Sequence, residues 1–196
     1  MMKRLLSLLT LALVAVLALS ACGSATDGAG ATSSASSSAD FNDADVTFAQ
    51  SMIPHHTQAV TMAKLAAVHA SSPAVKDLAT KIEAAQGPEI DTMTGWLKTW
   101  GKEATAGSGG MEGMDHGSGS MPGMMGDDQM KSLNSANGAA FDQMFLTMMT
   151  SHHQGAIEMA KTEQADGKNA DAIALAKKIE ADQTAELAQM KDLLAS

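Results

Sequence analysis

Apolar positions recur at three- and four-residue steps along two long stretches of the chain, and the two stretches are copies of one another. Leu78, Ile82, Gln86, Glu89, Met93, Leu97 and Trp100 trace the stripe of a packed amphipathic helix, interrupted by two polar side chains. Placing 45–97 on 142–194 at a constant offset of 97 needs no gap, and 19 of 53 positions are then identical. The matches include Asp45/Asp142, Phe48/Phe145, Met52/Met149, His55-His56/His152-His153, Met62/Met159, Gln86/Gln183, Glu89/Glu186 and Met93/Met190. Low complexity does not place His-His and Gln-x-x-Glu in register, so the pattern predicts a duplicated helical hairpin.

Each copy predicts two helices of about 25 residues, roughly 38 Å long. Asn42 or Asp43 caps the first, which runs to about Ala70, and Ser72-Pro73 is an N-cap and N1 pair for the second, running to about Trp100. The second copy starts near Ala139, breaks at Gly167 and restarts behind Asn169. Two antiparallel hairpins related by an approximate two-fold axis make an all-α four-helix bundle over 42–196. Pro54 and Pro88 fall inside helices of the first copy only, so kinks are expected in one hairpin. Between the hairpins, 101–135 forms a long connection rich in Gly and Met, with a short helix predicted over Asp127 to Ser135.

The first 21 residues have a different pattern. A basic start, Met1 to Arg4, precedes an apolar run from Leu5 to Leu19, too short to span a bilayer comfortably. The run ends in Leu19-Ser20-Ala21-Cys22, which resembles the lipobox of bacterial lipoproteins; the resemblance implies cleavage before Cys22 and a lipid on its sulfur. Residues 22–41, mostly Gly, Ala, Ser and Thr, read as a flexible tether. The expected location is the cell envelope, with the domain lipid-anchored on the outer face of the cytoplasmic membrane or in the periplasm.

Composition narrows the chemistry. The chain has 13 Lys+Arg against 22 Asp+Glu, and loss of Lys3 and Arg4 with the leader leaves 11 basic residues and a formal charge of -11. That balance excludes a phosphate-neutralising grip on nucleic acid. With 1 Cys there is no internal disulfide and no thiolate cluster, whereas 16 Met and 6 His supply thioether and imidazole.

Those two ligand types share helix faces. His55 sees Met52 at i-3 and Met62 at i+7; His152 sees Met148 and Met149 at i-4 and i-3 and Met159 at i+7; His56 and His153 see Met52 and Met149. Imidazole with thioether is the set expected for Cu(I) or Ag(I) when no thiolate is present, although Met at helical spacing is also ordinary core filling. Gln86, Glu89, Gln183 and Glu186 break otherwise apolar stripes and are expected to meet the His pairs as outer partners or ligands. In the loop, Met111, Met114, His116, Met121, Met124 and Met125 stand in a Gly-rich segment, where thioethers three apart could wrap a soft ion and Met is not expected to serve a core.

With these residues in place, the chain resembles the CopM-like family, also called domain of unknown function three hundred and five: exported ferritin-like four-helix proteins, some tied to copper handling. The resemblance is carried by Met52-Ile53-Pro54-His55-His56, by Ile82 through Gln86 with Glu89, Met93 and Trp96-Leu97, by Phe141-Asp142 and Met148 through Ala160, and by Met121 through Met125. Thr150, standing where Ile53 is in the first copy, departs from the pattern. The expected function is a non-enzymatic, lipid-anchored protein that binds or buffers copper, Cu(I) favoured. Its partners would be the metal ion, the membrane through its anchor, a copper exporter or oxidase, and a second copy in a homodimer. Two other readings stand beside it: an envelope interaction module without metal, and a ferritin-like di-metal oxidase. The oxidase chemistry uses Glu-x-x-His on two helices, and that motif occurs nowhere in the sequence.

Overall fold

Asn42 starts the first helix as a capping box: its side chain accepts from the N–H groups of Ala44 and Asp45, and its own N–H donates to Asp45 Oδ2 at 2.6 Å. The structure is a computed structural model that describes residues 40–104 and 121–196. The helices are α1 (Asp43–His69), α2 (Pro73–Trp100), α3 (Asp127–Ser135), α4 (Gly138–Asp166) and α5 (Ala170–Leu194), and no strand occurs among the described residues. Gly101 ends α2 in the left-handed conformation, and Asn169 caps α5 through the N–H groups of Asp171 and Ala172. Both α1 and α2 run on through Pro54 and Pro88. The leader, Cys22, Met111, Met114 and His116 lie outside the described residues.

Helix α1 packs on α2 and α4 on α5, and the two hairpins meet chiefly through α1 and α4. This is the all-α bundle of two duplicated hairpins that the repeat predicts. Apolar side chains form two clusters. One holds Met62, Leu78, Ile82, Phe141, Phe145, Met149 and Met190; the other holds Phe48, Met52, Met93, Leu97, Ala156 and Ile179. On all four long helices, the His-His or Gln-x-x-Glu positions fall between the residues given to the two clusters. A polar layer therefore crosses the middle of the bundle.

The hairpins brace each other reciprocally. Asp45 of α1 accepts from the N–H groups of Lys168 and Asn169, at 3.0 and 2.8 Å, in the α4–α5 turn. Asp142 of α4 accepts from the N–H groups of Ser71 and Ser72, at 3.1 and 3.0 Å, in the α1–α2 turn. These are the same positions under the 97-residue offset. Ser72 occupies the expected N-cap position, but its side chain makes no capping bond because Asp142 serves that turn instead.

The symmetry breaks at Glu163, which lies on α4 where α1 has Ala66 and is only 1% exposed. Burial, then hydrogen bonding and repulsion from Asp45, push its carboxyl up to about 8. Burial also pushes Asp45 up, but the N–H donors of Asn42, Asn169 and Lys168 and the bond from Glu163 outweigh it and hold Asp45 below the usual carboxylate range. No ordinary donor reaches the Glu163 oxygens, so the contact between the two carboxyls requires a proton. Since the unfolded chain releases that proton near pH 4.5 and the folded chain keeps it to about 8, stability falls as pH rises between those values and levels off above them. Glu163→Gln removes this loss. Its melting temperature is expected to exceed that of the parent by roughly 4 °C or more at pH 8 and to converge with it near pH 4, as thermal unfolding followed by circular dichroism will show.

Candidate metal centre

All four histidines of the pairs are buried, at 0% exposure. The rings of His55 on α1 and His152 on α4 meet across the hairpin interface with centroids 3.7 Å apart, tilted by 39° to each other. The other two turn outward to carboxylates: His56 Nε2–H donates to Glu89 Oε2 at 2.9 Å, and His153 Nε2–H donates to Glu186 Oε2 at 2.6 Å. Glu89 and Glu186 thus each bond one ring of a His pair, in equivalent positions of the two halves. Glu89 also receives Lys178 Nζ at 2.9 Å. Gln86 and Gln183 are buried in the same layer without bonding to the imidazoles; both side-chain polar atoms of Gln86, and Oε1 of Gln183, lack a hydrogen-bond partner.

Burial dominates the electrostatics. It lowers His55 to about 4 and His152 to about 2, with the neighbouring imidazoles adding to the effect on each. It also holds His56 below the usual histidine range despite Glu89. Burial raises the Glu89 carboxyl, and the bonds from His56 and Lys178 more than reverse this. The His56–Glu89 pair is therefore a neutral imidazole donating to an ionised carboxylate. Five buried ring nitrogens make no hydrogen bond: Nδ1 of His55, His56, His152 and His153, and Nε2 of His152. The His55 backbone lies close enough to His152 to offset burial slightly, without hydrogen-bond geometry.

Thioethers flank this layer. Met52 and Met149, three residues before His55 and His152 respectively, are fully buried, one in each apolar cluster. Met62 is also fully buried and belongs to the core, while Met148 and Met159 pack half-buried against the two clusters. Among the described residues, no three His, Cys, Asp or Glu side chains form a ready-made metal cage. An ion held here would draw on thioether sulfur beside imidazole, and the unbonded nitrogens suit that donor set.

The end of the Met-rich connection corrects one expectation. Met125 is 4% exposed within an apolar cluster, and Met121 and Met124 are half-buried, so this stretch does serve the core. It is tied down by Gln58, whose Nε2 donates to the Met125 carbonyl at 2.8 Å and whose Oε1 accepts from the Met125 N–H at 2.7 Å. Pro122 then lies over the histidines, its carbonyl accepting from His55 Nε2–H at 3.0 Å. Gly155 makes the approach feasible: a Cβ there would sit 1.9 Å from the Pro122 oxygen. Sequence reasoning missed Pro122, Gly155, Asp45 and Glu163 as working residues. One signal was available for Gly155, since the repeat sets it opposite Gln58, and both positions contact this strap. His69 bonds Asn137 at 2.9 Å and stacks on Phe141.

A family model described as Domain of unknown function (DUF305) matches residues 45–194. Among solved structures, a candidate secreted DUF305 protein from Streptomyces coelicolor is 34% identical with a TM-score of 0.70, covering 78% of this chain and 92% of that one. CopM in its Cu(II)-bound form is 33% identical with a TM-score of 0.65, covering 77% of this chain and 95% of that one. CopM in its Cu(I)-bound form is 30% identical with a TM-score of 0.62, covering 76% of this chain and 94% of that one, and CopM is also known in an Ag-bound form. Among curated proteins, none matches significantly. Both helical hairpins and the polar layer between them fall within the matched residues, and the chain belongs to the DUF305 family.

Proposed function

We propose that this protein is a non-enzymatic copper-binding protein of the cell envelope, lipid-anchored through Cys22, that holds Cu(I), or Ag(I) in its place, at the polar layer of the bundle. The observation that carries the reading is the set of five unbonded imidazole nitrogens at full burial. Buried polar atoms are almost always satisfied, and each one left bare costs about 1–3 kcal/mol. A core that keeps several of them in register in both halves of a duplicated chain is arranged for something that satisfies them. Neutral imidazole beside thioether, without thiolate, favours a soft monovalent ion. His55, His56, His152 and His153 are the proposed nitrogen ligands and Met52 and Met149, three residues before His55 and His152, the proposed thioethers, with Met148 beside Met149 and Met62 and Met159 seven residues beyond His55 and His152. Met111, Met114, His116 and the half-buried Met121 and Met124 are proposed to gather ions toward them, whereas Met125 packs in the core. CopM, known with copper and with silver, supports the metal, and the Streptomyces coelicolor relative supports a place outside the cytoplasm.

Anaerobic titration of the purified protein with Cu(I) against a competing chelator tests this directly. Tight binding is expected, weakening by at least about 100-fold when all four histidines become Ala. A parent protein that leaves Cu(I) with the chelator refutes the reading.

A further inference from the structure

Two rings and a carbonyl come together at the hairpin interface: His55 and His152, tilted against each other, and Pro122, whose oxygen reaches His55. A carbonyl oxygen can only accept, so the 3.0 Å contact with His55 Nε2 requires the ring proton to sit on that nitrogen. We propose that the Pro122–Gly123 strap is a positioning element that locks His55 as the Nε2–H tautomer, leaving Nδ1 as its lone-pair nitrogen, and that Gly155 is the residue that admits the strap.

The strap is built for a fixed placement. Gln58 grips Met125 by both amide atoms. Gly123 holds a left-handed φ of 76° while packed against α4, where a Cβ would lie 2.5 Å from the Ser151 carbonyl. Gly155 supplies the clearance for Pro122, and any side chain there would push the carbonyl away from His55. Glu89 and Glu186 set the same tautomer in His56 and His153. Three of the four rings are thus held with Nε2–H outward and Nδ1 bare, each by a different acceptor. His152 is the exception, because the single strap cannot serve both halves of the two-fold, and both its nitrogens stay unbonded. The His55 and His152 rings are therefore inequivalent. Taking metal binding as their role, a soft ion finds only Nδ1 on His55 but either nitrogen on His152.

Long-range proton–nitrogen NMR spectra of the metal-free full-length protein at neutral pH read this out. The parent is expected to show His55 with a pyrrole-type Nε2 and a pyridine-type Nδ1. Gly155→Ala is expected to convert His55 to a mixed or Nδ1–H pattern while His56 and His153 keep theirs, and to weaken Cu(I) binding about tenfold. Gln58→Ala, which frees Met125 without touching Gly155, should move His55 the same way and carries the test if Gly155→Ala does not fold. A parent His55 protonated on Nδ1, or an unchanged His55 pattern in the folded variants, overturns the proposal. Absence of Cu(I) binding by the parent would instead refute the metal reading, leaving the tautomer assignment to stand or fall on its own spectra.

Discussion

Replacing His152 with leucine is expected to stabilise the metal-free protein while damaging its metal binding. The imidazole is fully buried, held neutral, and bonded through neither nitrogen. Leucine has a similar volume, brings no polar atoms, and can lie against the His55 ring, whose centroid is now 3.7 Å from that of His152. Relief of about 1–3 kcal/mol of unsatisfied polarity, less some repacking, should raise the melting temperature by roughly 2–8 °C for a domain of this size. The other histidines carry the control. His56→Leu should destabilise, because it leaves Glu89, 7% exposed, with Lys178 as its remaining partner. His153→Leu should be closer to neutral, because Glu186 has a side chain 17% exposed and can recover water. A site kept for function at the expense of stability predicts this order, together with at least a tenfold loss of Cu(I) affinity in His152→Leu. Destabilisation by His152→Leu would mean that the imidazole is a structural residue.

Asp45→Ala should be among the most damaging single substitutions in the bundle. Its carboxylate accepts from the N–H groups of Asn42, Lys168 and Asn169 at 2.6, 3.0 and 2.8 Å, at 0% residue exposure, and is the partner of the Glu163 proton. Alanine frees donors in a helix start and in a turn of the other hairpin at once, a loss of about 2–4 kcal/mol or roughly 5–15 °C. Asp142→Ala removes the equivalent brace, but Asp142 is half-buried and Ser71 is exposed, so water replaces much of what is lost and about 1–2 kcal/mol is expected. Thermal unfolding of the two variants at pH 6 compares them. If Asp142→Ala proves the more damaging, the reciprocal brace does not have the asymmetry that its burial implies.

Much of the architecture was legible in the chain because helical periodicity and duplication are local signals. The stripe from Leu78 to Trp100 and the caps at Asn42 and Asn169 predict α1, α2, α4 and α5 closely. Glu89 and Glu186 could be matched to the His pairs because polar interruptions of a buried stripe need partners, but which ring each one meets came only from the structure. What escaped were contacts that join segments far apart. Asp45 and Asp142 stood out as an identical pair, yet Asp45, in the first turn of α1, already has a local use as a capping partner, and Asp142 follows as its copy one turn into α4. Nothing nearby signals that each reaches the other hairpin's turn. Glu163 read as one polar residue among several near the end of a helix, since only the packing of α1 beside it reveals how deeply it is buried.

Met121 to Met125 shows the same division most clearly. Glycine and methionine in a long connection signal freedom and soft donors, and their composition is silent on whether the strand of chain docks. Docking depends on Gln58, on the clearance at Gly155 and on the left-handed Gly123, residues drawn from α1, α4 and the connection itself, and it exists only once the hairpins have closed. By itself the sequence determined the helices, their pairing into two copies and the chemistry available along each face, because those follow from periodicity and residue type. The tertiary structure alone decided that the copies are unequal: one strap, lying across a near two-fold interface, can bond only one of two equivalent histidines, so it completes His55 and leaves His152 bare.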